Sequence, residues 1–273
     1  MDLKDKVVVL TGGASGIGKA TALMIARENV KAIAVADRDD QTEAVCEAMN
    51  HDLGRTVMIA FRGDVVDESF REGVFQTMEE RFGPVTLCVP AAGITRDRLS
   101  VKIVKRNGSI VPDIYAEEDF RRVLDVDLVA PVYWALRTVA SVAVHRANRG
   151  MGAWTPDESM QGAIVLIGSV SSAGNRGQIS YATAKAGLEG AQATLAKEAI
   201  FYGVRCAIIH PGFTDTPMVR ALGDDIIREN VLPNTQLRRL IRPDEIASAI
   251  VFMLQNSAVS GSLWADAGWH PQA

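Results

Sequence analysis

Three side chains within residues 169–185 have the types and spacing for proton transfer: Ser169, Tyr181 and Lys185. Helical positions four apart share a face, so Tyr181 and Lys185 can address one reacting atom. A phenol is a poor acid or base near neutral pH, and an adjacent ammonium lowers its pKa by stabilising the phenolate. Such a pair suits returning a proton to a carbonyl, or taking one from an alcohol, while a hydride moves elsewhere. The same spacing also falls by chance on solvated helix faces, so the pair acquires meaning only beside a site for a hydride carrier.

The elements that must position such a site begin at the N-terminus. Residues 7–10 are a continuous apolar run, the pattern of a strand buried on both faces of a parallel sheet. The run enters Thr11-Gly-Gly-Ala-Ser-Gly-Ile-Gly18, and a helical pattern follows to about Glu28. Glycines there let the backbone approach a pyrophosphate, and the helix N-terminus offers free N–H groups. The competing reading is a tight turn that binds nothing. Against it stands a second strand at 32–36 that ends on Asp37, about 20 residues past the motif, where a ribose-binding acid belongs. A carboxylate there accepts from ribose hydroxyls and repels a 2′-phosphate. With Ser15 rather than a base in the turn, Arg38 reads as solvated, and NAD is expected over NADP.

Helices expected at 40–51 and 68–81 alternate with strands at 57–61 and 85–89, the rhythm of a doubly wound α/β fold with a mostly parallel sheet. Asp64 and Gly93 then fall at the carboxyl edge, beside the glycine turn. Further strands are expected at 162–169, 204–210 and 263–265, and helices at 117–144, from Tyr181 to 201, and at 243–255. The 273 residues are 48% hydrophobic and 23% charged, enough for one large, well-buried domain and too apolar for a disordered chain. A net charge of −4 argues against a nucleic-acid binder. Cys46, Cys88 and Cys206 lack metal-ligand spacing and sit in apolar or helical runs, as buried thiols of a reducing cytosol do. With no signal-peptide pattern and no apolar run of membrane-spanning length, a cytoplasmic protein away from the membrane is expected.

Thr11-Gly-x-x-x-Gly-x-Gly18, Asp64, Ala92-Gly93, Ser169, Tyr181-x-x-x-Lys185 and Pro211-Gly212 together resemble the short-chain dehydrogenase/reductase family over essentially the whole chain. The strand at 162–169, the Gly-Asn-x-Gly-Gln run before Tyr181 and the Gly-Ile-Thr-Arg-Asp segment after Ala92 are most similar to the branch of 3-oxoacyl-carrier-protein reductases and related secondary-alcohol dehydrogenases. The resemblance implies one Rossmann-type domain over 1–273 that binds a nicotinamide cofactor. It carries cofactor contacts onto Gly12, Ser15, Gly16, Ile17, Gly18, Asp37, Asp64, Val65, Ala92, Gly93, Tyr181, Lys185, Pro211, Gly212, Thr214 and Thr216. It makes Tyr181 the acid/base, gives Lys185 the ribose as well as the phenol, and gives Thr216 the nicotinamide carboxamide. Ser169 becomes the hydroxyl that polarises the substrate, although Ser171 and Ser172 stand close enough to compete or to satisfy loop backbone. The small residues after Tyr181 and the helix bearing Asp127 imply a homodimer or homotetramer.

Two positions depart from the family pattern. The usual Asn-Ala-Gly is Ala91-Ala92-Gly93, and the asparagine that holds a proton-path water behind the lysine is Asp127. An aspartate there stabilises the Lys185 ammonium and partly cancels its effect on Tyr181, which shifts the pH profile; the alternative is that the family asparagine acts largely through its main-chain carbonyl, which Asp127 retains. Two stretches exceed the motifs. Residues 95–116 leave from the ligand edge and are candidates for substrate contact, with Lys102, Lys105 and Arg106 solvated or facing a phosphate. Residues 147–161 lie at the opposite edge as a surface elaboration. Residues 213–242 leave from the ligand edge as a candidate substrate lid whose Arg220, Arg228, Arg238 and Arg239 either meet a carrier phosphate or keep it soluble. His210 closes a strand and reads as structural.

The leading expectation is NAD(H)-dependent interconversion of a small-molecule secondary alcohol and a ketone. The alternatives are a 3-oxoacyl-thioester reductase, which in the resembled family more often uses NADPH, and a dinucleotide-binding sensor that no longer catalyses. No metal is expected.

Overall fold

The computed structural model describes residues 1–269. Alternating strands and helices build one sheet: β1 (Val7–Thr11), β2 (Ala32–Asp37), β3 (Met58–Arg62) and β4 (Val85–Pro90) come first. A hairpin, β5 (Val101–Arg106) and β6 (Ser109–Ile114), stands apart, and β7 (Gly162–Ile167), β8 (Val204–Pro211) and β9 (Gly261–Ala265) complete the sheet. Its order is β3-β2-β1-β4-β7-β8-β9, with every neighbouring pair parallel. The order reverses between β1 and β4, and at such a switch point the helices on either side leave a crevice beyond the strand ends.

Successive strand residues face opposite layers. Val8 and Leu10 of β1 pack with helices α1 (Gly16–Arg27), α2 (Thr42–Leu53) and α9 (Pro243–Gln255) through Ile25, Met49 and Ile250. Val7 and Val9 face the other layer, where Phe75 of α3 (Glu68–Phe82), Trp134 of α5 (Ala130–Asn148) and Leu188 of α6 (Ile179–Glu198) meet. Burying both faces accounts for the continuous apolar strands. The element boundaries differ from the expected ones by one to a few residues, the range within which helix and strand ends fray.

Three findings go beyond the sequence reading. The helix expected at 117–144 is α4 (Glu117–Leu124), a π-turn at Asp125–Val129 and α5 in one continuous rod. That rod reaches the length and hydropathy of a membrane span, which corrects the expectation that no such run exists. Trp134, Ala135 and Val142 are buried, so one face of the rod packs on the sheet as a helix of the α/β layer. The stretch 95–116 is not an open loop. It holds the hairpin, turned at Asn107-Gly108 with φ of 50° and 83°, the left-handed pair that a two-residue turn needs. Residues 147–161 do lie at the opposite edge, where Trp154 packs over Gly203 and Arg146 pairs with Glu158.

Segment 213–242 consists of short turns of helix, α7 (Pro217–Arg220), α8 (Asp224–Ile226) and a π-turn at Ile227–Val231, gathered on a small cluster of Ile227, Val231 and Leu240.

Candidate active site

The first part of the cleft is made of main chain. Gly12 takes φ +69°, and a Cβ on it would lie 2.6 Å from the Ala92 nitrogen. At Gly18 a Cβ would lie 2.1 Å from the Gly12 carbonyl oxygen, so α1 can start this close to the turn only with glycine there. Helix α1 begins at Gly16 with Ser15 extended before it, no side-chain cap and no acidic residue in its first turn. Its N–H groups are therefore free to receive an anion. Thr11 ties the neighbouring strand end: its hydroxyl accepts from Ala92 N at 3.2 Å, and its carbonyl accepts from Ala91 N at 3.1 Å. The loop thus holds its shape without the family asparagine at Ala91.

Asp37 ends β2 beside this turn, one carboxylate oxygen accepting from Ala14 N at 2.9 Å and the other from Asp39 N at 3.2 Å. Arg38 is exposed at the rim. Asp64 accepts from Arg122 of α4 at 2.7 Å and from Val66 N at 3.1 Å. Burial works to raise the Asp64 carboxyl, but those hydrogen bonds and the Arg122 charge hold it below its ordinary value. Gly12, Ser15 to Gly18, Asp37, Asp64, Val65, Ala92 and Gly93 all line one cavity of about 270 Å³, as do Arg122, Tyr181, Lys185 and Thr216. A nicotinamide dinucleotide fits these residues: glycines where a Cβ would fill the cradle, a free helix N-terminus for pyrophosphate and a carboxylate for ribose.

Beyond Tyr181 lies a second cavity of about 130 Å³, lined by Ser169, Ser171, Gln178, Asp97, Thr95, Pro211, Gly212, Thr214 and the apolar Phe213, Met218, Val219 and Leu222. Tyr181, Ile17, Ile167, Thr216 and Met218 line both cavities, so the phenol stands at their junction. Thr216 caps α7, accepting from Val219 N at 3.4 Å, and its methyl would crowd any side chain at Gly16. The Thr214 hydroxyl is turned to the Gly212 carbonyl at 3.0 Å.

Lys185, one turn beyond Tyr181 on α6, is buried and donates to the Ile167 carbonyl at 3.0 Å. Its ammonium lies 3.4 Å from Asp127 Oδ2. The π-turn brings Asp127 there, fully buried, with Oδ1 accepting from Ile94 N at 2.8 Å. Burial pushes the Asp127 carboxyl up, against the Lys185 charge. For Lys185, burial pulls the ammonium down, but Asp127 and Tyr181 outweigh it and its pKa is raised. Tyr181 is pushed up, first by burial and then by the Asp127 charge, while Lys185 and a hydrogen bond from Ser169 favour the phenolate.

The serines separate. The Ser171 hydroxyl donates to Gln178 Oε1 at 2.8 Å and so belongs to the loop, whereas Ser169 Oγ accepts from Ser171 N at 3.0 Å and lines the substrate cavity beside the phenol. His210 is structural, as expected: it is buried, stacked on Trp264 at 4.2 Å between ring centroids, with Nδ1 3.2 Å from the Ser169 carbonyl. It thereby sits beneath the residue that faces the phenol.

The basic residues of 95–116 and 213–242 considered for a substrate phosphate line neither cavity, whereas Arg38 lines the first beside Asp37. Lys102 and Arg106 lie 3.5 and 3.6 Å from Asp113 within the hairpin, and Lys105 is exposed on it. Arg220 pairs with Asp215, Arg228 with Asp225 and Arg239 with Glu245. Arg122, Asp97 and Gln178 are site residues that the sequence reading missed. Only the acid-rich start of α4 hinted at a helix bearing Arg122, whereas Asp97 and Gln178 close the two segments that carry the branch resemblance without having been given a role.

A parallel sheet with a switch point over a glycine turn, beside a Ser–Tyr–Lys constellation, defines a dinucleotide-dependent oxidoreductase. Residues 6–226 match the short chain dehydrogenase family, and the chain belongs to it. It is 31% identical over 259 residues to the 3-oxoacyl-[acyl-carrier-protein] reductase FabG of Escherichia coli, covering 94% of this chain and 93% of that one. It is 32% identical over 274 residues to an acetoacetyl-CoA reductase of Synechocystis, covering 99% and 98%. In fold it resembles a short-chain type dehydrogenase/reductase from Mycobacterium marinum, with a TM-score of 0.80 at 23% identity over 98% and 96% of the two chains.

Proposed function

We propose that this oxidoreductase reduces the 3-oxo group of an acyl thioester, and oxidises the 3-hydroxy product, with NAD(H). The carrying observation is the Tyr181 phenol at the junction of the two cavities, with Ser169 lining the second beside it and the buried Lys185 against its ring. The thioester, rather than a simple ketone, is favoured by the names of the E. coli and Synechocystis relatives. NAD is favoured by Asp37 at the end of β2 and by Ser15 in the turn.

The dinucleotide, held by Gly12 to Gly18, Asp37, Asp64 and Thr216, supplies or accepts the hydride when bound. Ser169 donates to the substrate carbonyl as negative charge grows on its oxygen, and Tyr181 delivers a proton to that oxygen. Lys185 stabilises the resulting phenolate, with the Ile167 carbonyl fixing the ammonium. Asp127 keeps Lys185 charged and adds a negative charge that holds the phenol proton more tightly. In the oxidative direction the same phenolate takes the proton from the alcohol. The intact trio also favours an enzyme over a silent sensor.

The same reading takes the chain as one catalytic domain, with 213–242 as the cover of the substrate cavity. Its buried free thiols suit the cytoplasm. Exposed apolar side chains on the π-turn and α5, Val129, Tyr133, Leu136 and Val144, suit a homodimer or homotetramer.

The test follows reduced nicotinamide during turnover of acetoacetyl thioesters and secondary alcohols, with NAD(H) and NADP(H). Thioester turnover is expected, and Tyr181→Phe is expected to lose roughly a thousandfold in kcat while still binding cofactor. Dinucleotide binding without turnover, indifferent to that substitution, would sink the proposal.

A further inference from the structure

The substrate cavity contains one carboxylate and no cation. Asp97 lines it beside Ser169 and Tyr181, and none of its other lining residues is lysine, arginine, histidine, aspartate or glutamate. Gln178 fixes Asp97: its amide nitrogen donates to Oδ2 at 2.8 Å, while its carbonyl accepts from Ser171 and Asn175 at 2.8 and 3.0 Å. Oδ1 of Asp97 makes no hydrogen bond among the described residues. The two arginines flanking it in sequence are engaged elsewhere. Arg98 pairs with Asp113 at 2.6 Å, and Arg96 bonds the Thr95 carbonyl at 3.0 Å and lies 3.8 Å from Asp119. No cation lies within ion-pair distance of Asp97 among the described residues.

The nearest positive charge behind the phenol is also spoken for. Lys185 faces the buried Asp127 at 3.4 Å, so the usual ammonium of this constellation arrives already paired with a carboxylate. Asp97 and Asp127 both act on Tyr181 as negative charges. An anionic substrate bound against Tyr181 therefore meets an unpaired carboxylate and a neutralised lysine.

We infer that Asp97 is a specificity-determining residue that selects substrates uncharged next to the reacting carbonyl, excluding free 3-oxo acids in favour of their thioesters and esters. This rests on the reading of the site as a 3-oxoacyl-thioester reductase and adds what discriminates within that class. In a 3-oxo acid the carboxylate is two bonds from the reacting carbon. With the ketone on Ser169 and Tyr181, that carboxylate falls in the cavity that Asp97 lines. A thioester at the same position brings no charge and avoids the repulsion. Asp97 is exposed, so solvent screens the effect and sets its size at roughly tenfold in kcat/KM.

The experiment compares kcat/KM for acetoacetate, methyl acetoacetate and the acetoacetyl thioester of N-acetylcysteamine in the intact enzyme, in Asp97→Asn and in Asp97→Glu. The readout is the ester-to-acid and thioester-to-acid ratio within each protein, which is insensitive to the amount of folded enzyme. Both ratios are expected to narrow by roughly tenfold in Asp97→Asn and to persist in Asp97→Glu. Ratios in Asp97→Asn equal to those of the unaltered protein, or an equal narrowing in both variants, would overturn the inference while leaving the reductase reading intact. Failure of the unaltered enzyme to turn over any of the three would overturn both.

Discussion

The two halves of the cleft meet at Tyr181 and are built by different means. The nucleotide half is mostly main chain: Gly12, Gly16 and Gly18 pressed against backbone and Thr216, and the bare N-terminus of α1. The substrate half is mostly side chain: Ser171, Gln178 and Asp97 in a relay beside Ser169, under Phe213, Met218, Val219 and Leu222 from a segment of short helical turns. Main-chain geometry tolerates no added atom, so that half should break outright when changed. Side chains can be exchanged, so the other half should retune.

The largest effect should therefore come from the rigid half. In Gly18→Ala the new methyl would sit 2.1 Å from the Gly12 carbonyl oxygen, and only a backbone shift relieves that. We expect a loss of about 3 kcal/mol in unfolding free energy and of most dinucleotide affinity, read by urea unfolding and by cofactor titration. Near-normal values of both would show that the start of α1 is looser than its contacts imply.

The same contrast decides what could be read in the chain before its structure. Strand–glycine–helix order, the acid at the end of β2 and the Tyr-x-x-x-Lys pair are local patterns, and each fell where it was expected. The hairpin was missed although Asn107-Gly108 is its turn signal, because neither β5 nor β6 keeps a clean polar–apolar alternation and Pro112 interrupts the second strand. Asp97 and Gln178 are 81 residues apart and meet only through the fold. Arg122 reaches Asp64 across 58 positions in the same way. The π-turn that aims Asp127 at Lys185 leaves no mark in the apolar period of its helix.

Asp37 belongs to the nucleotide half but acts through a side chain, and so tests the boundary of the comparison. In Asp37→Ala the repulsion of a 2′-phosphate disappears, and the ratio of kcat/KM for NAD over NADP is expected to fall by roughly tenfold. The carboxylate also receives Ala14 N at 2.9 Å, so both cofactors should bind somewhat less well. The ratio isolates the charge from the loop, and an unmoved ratio would remove Asp37 from discrimination.

Asp127→Asn should retune without breaking. Burial raises the Tyr181 pKa most, the Lys185 charge opposes it, and the Asp127 charge raises it further by less than either. Taking the charge away lets the phenol lose its proton at lower pH, so the rising limb of alcohol oxidation moves to lower pH. Because the amide keeps an acceptor for Ile94 N, the π-turn should stay in place. An unmoved pH–rate profile would show that the carboxylate does not reach the proton path.

The smallest effect belongs to the far end of the substrate half, where 213–242 joins α9. Glu245 receives Arg239 at 2.7 and 2.8 Å and the Arg242 N–H at 2.8 Å, and these bonds, Arg239 first, hold its carboxyl down to about 2. A carboxyl with a depressed folded pKa stabilises the protein above its unfolded value, and the benefit fades as pH falls toward the folded one. Glu245→Gln should cost about 1 kcal/mol or less near neutrality, since the pair is partly solvated. The cost should shrink as pH is lowered from about 5 toward about 3, followed by urea unfolding of both proteins. Turnover should fall less than stability, because Glu245 lines neither cavity. A cost that stayed flat with pH would mean that the carboxylate charge does not tie this segment down, and that the apolar cluster of Ile227, Val231 and Leu240 holds it alone.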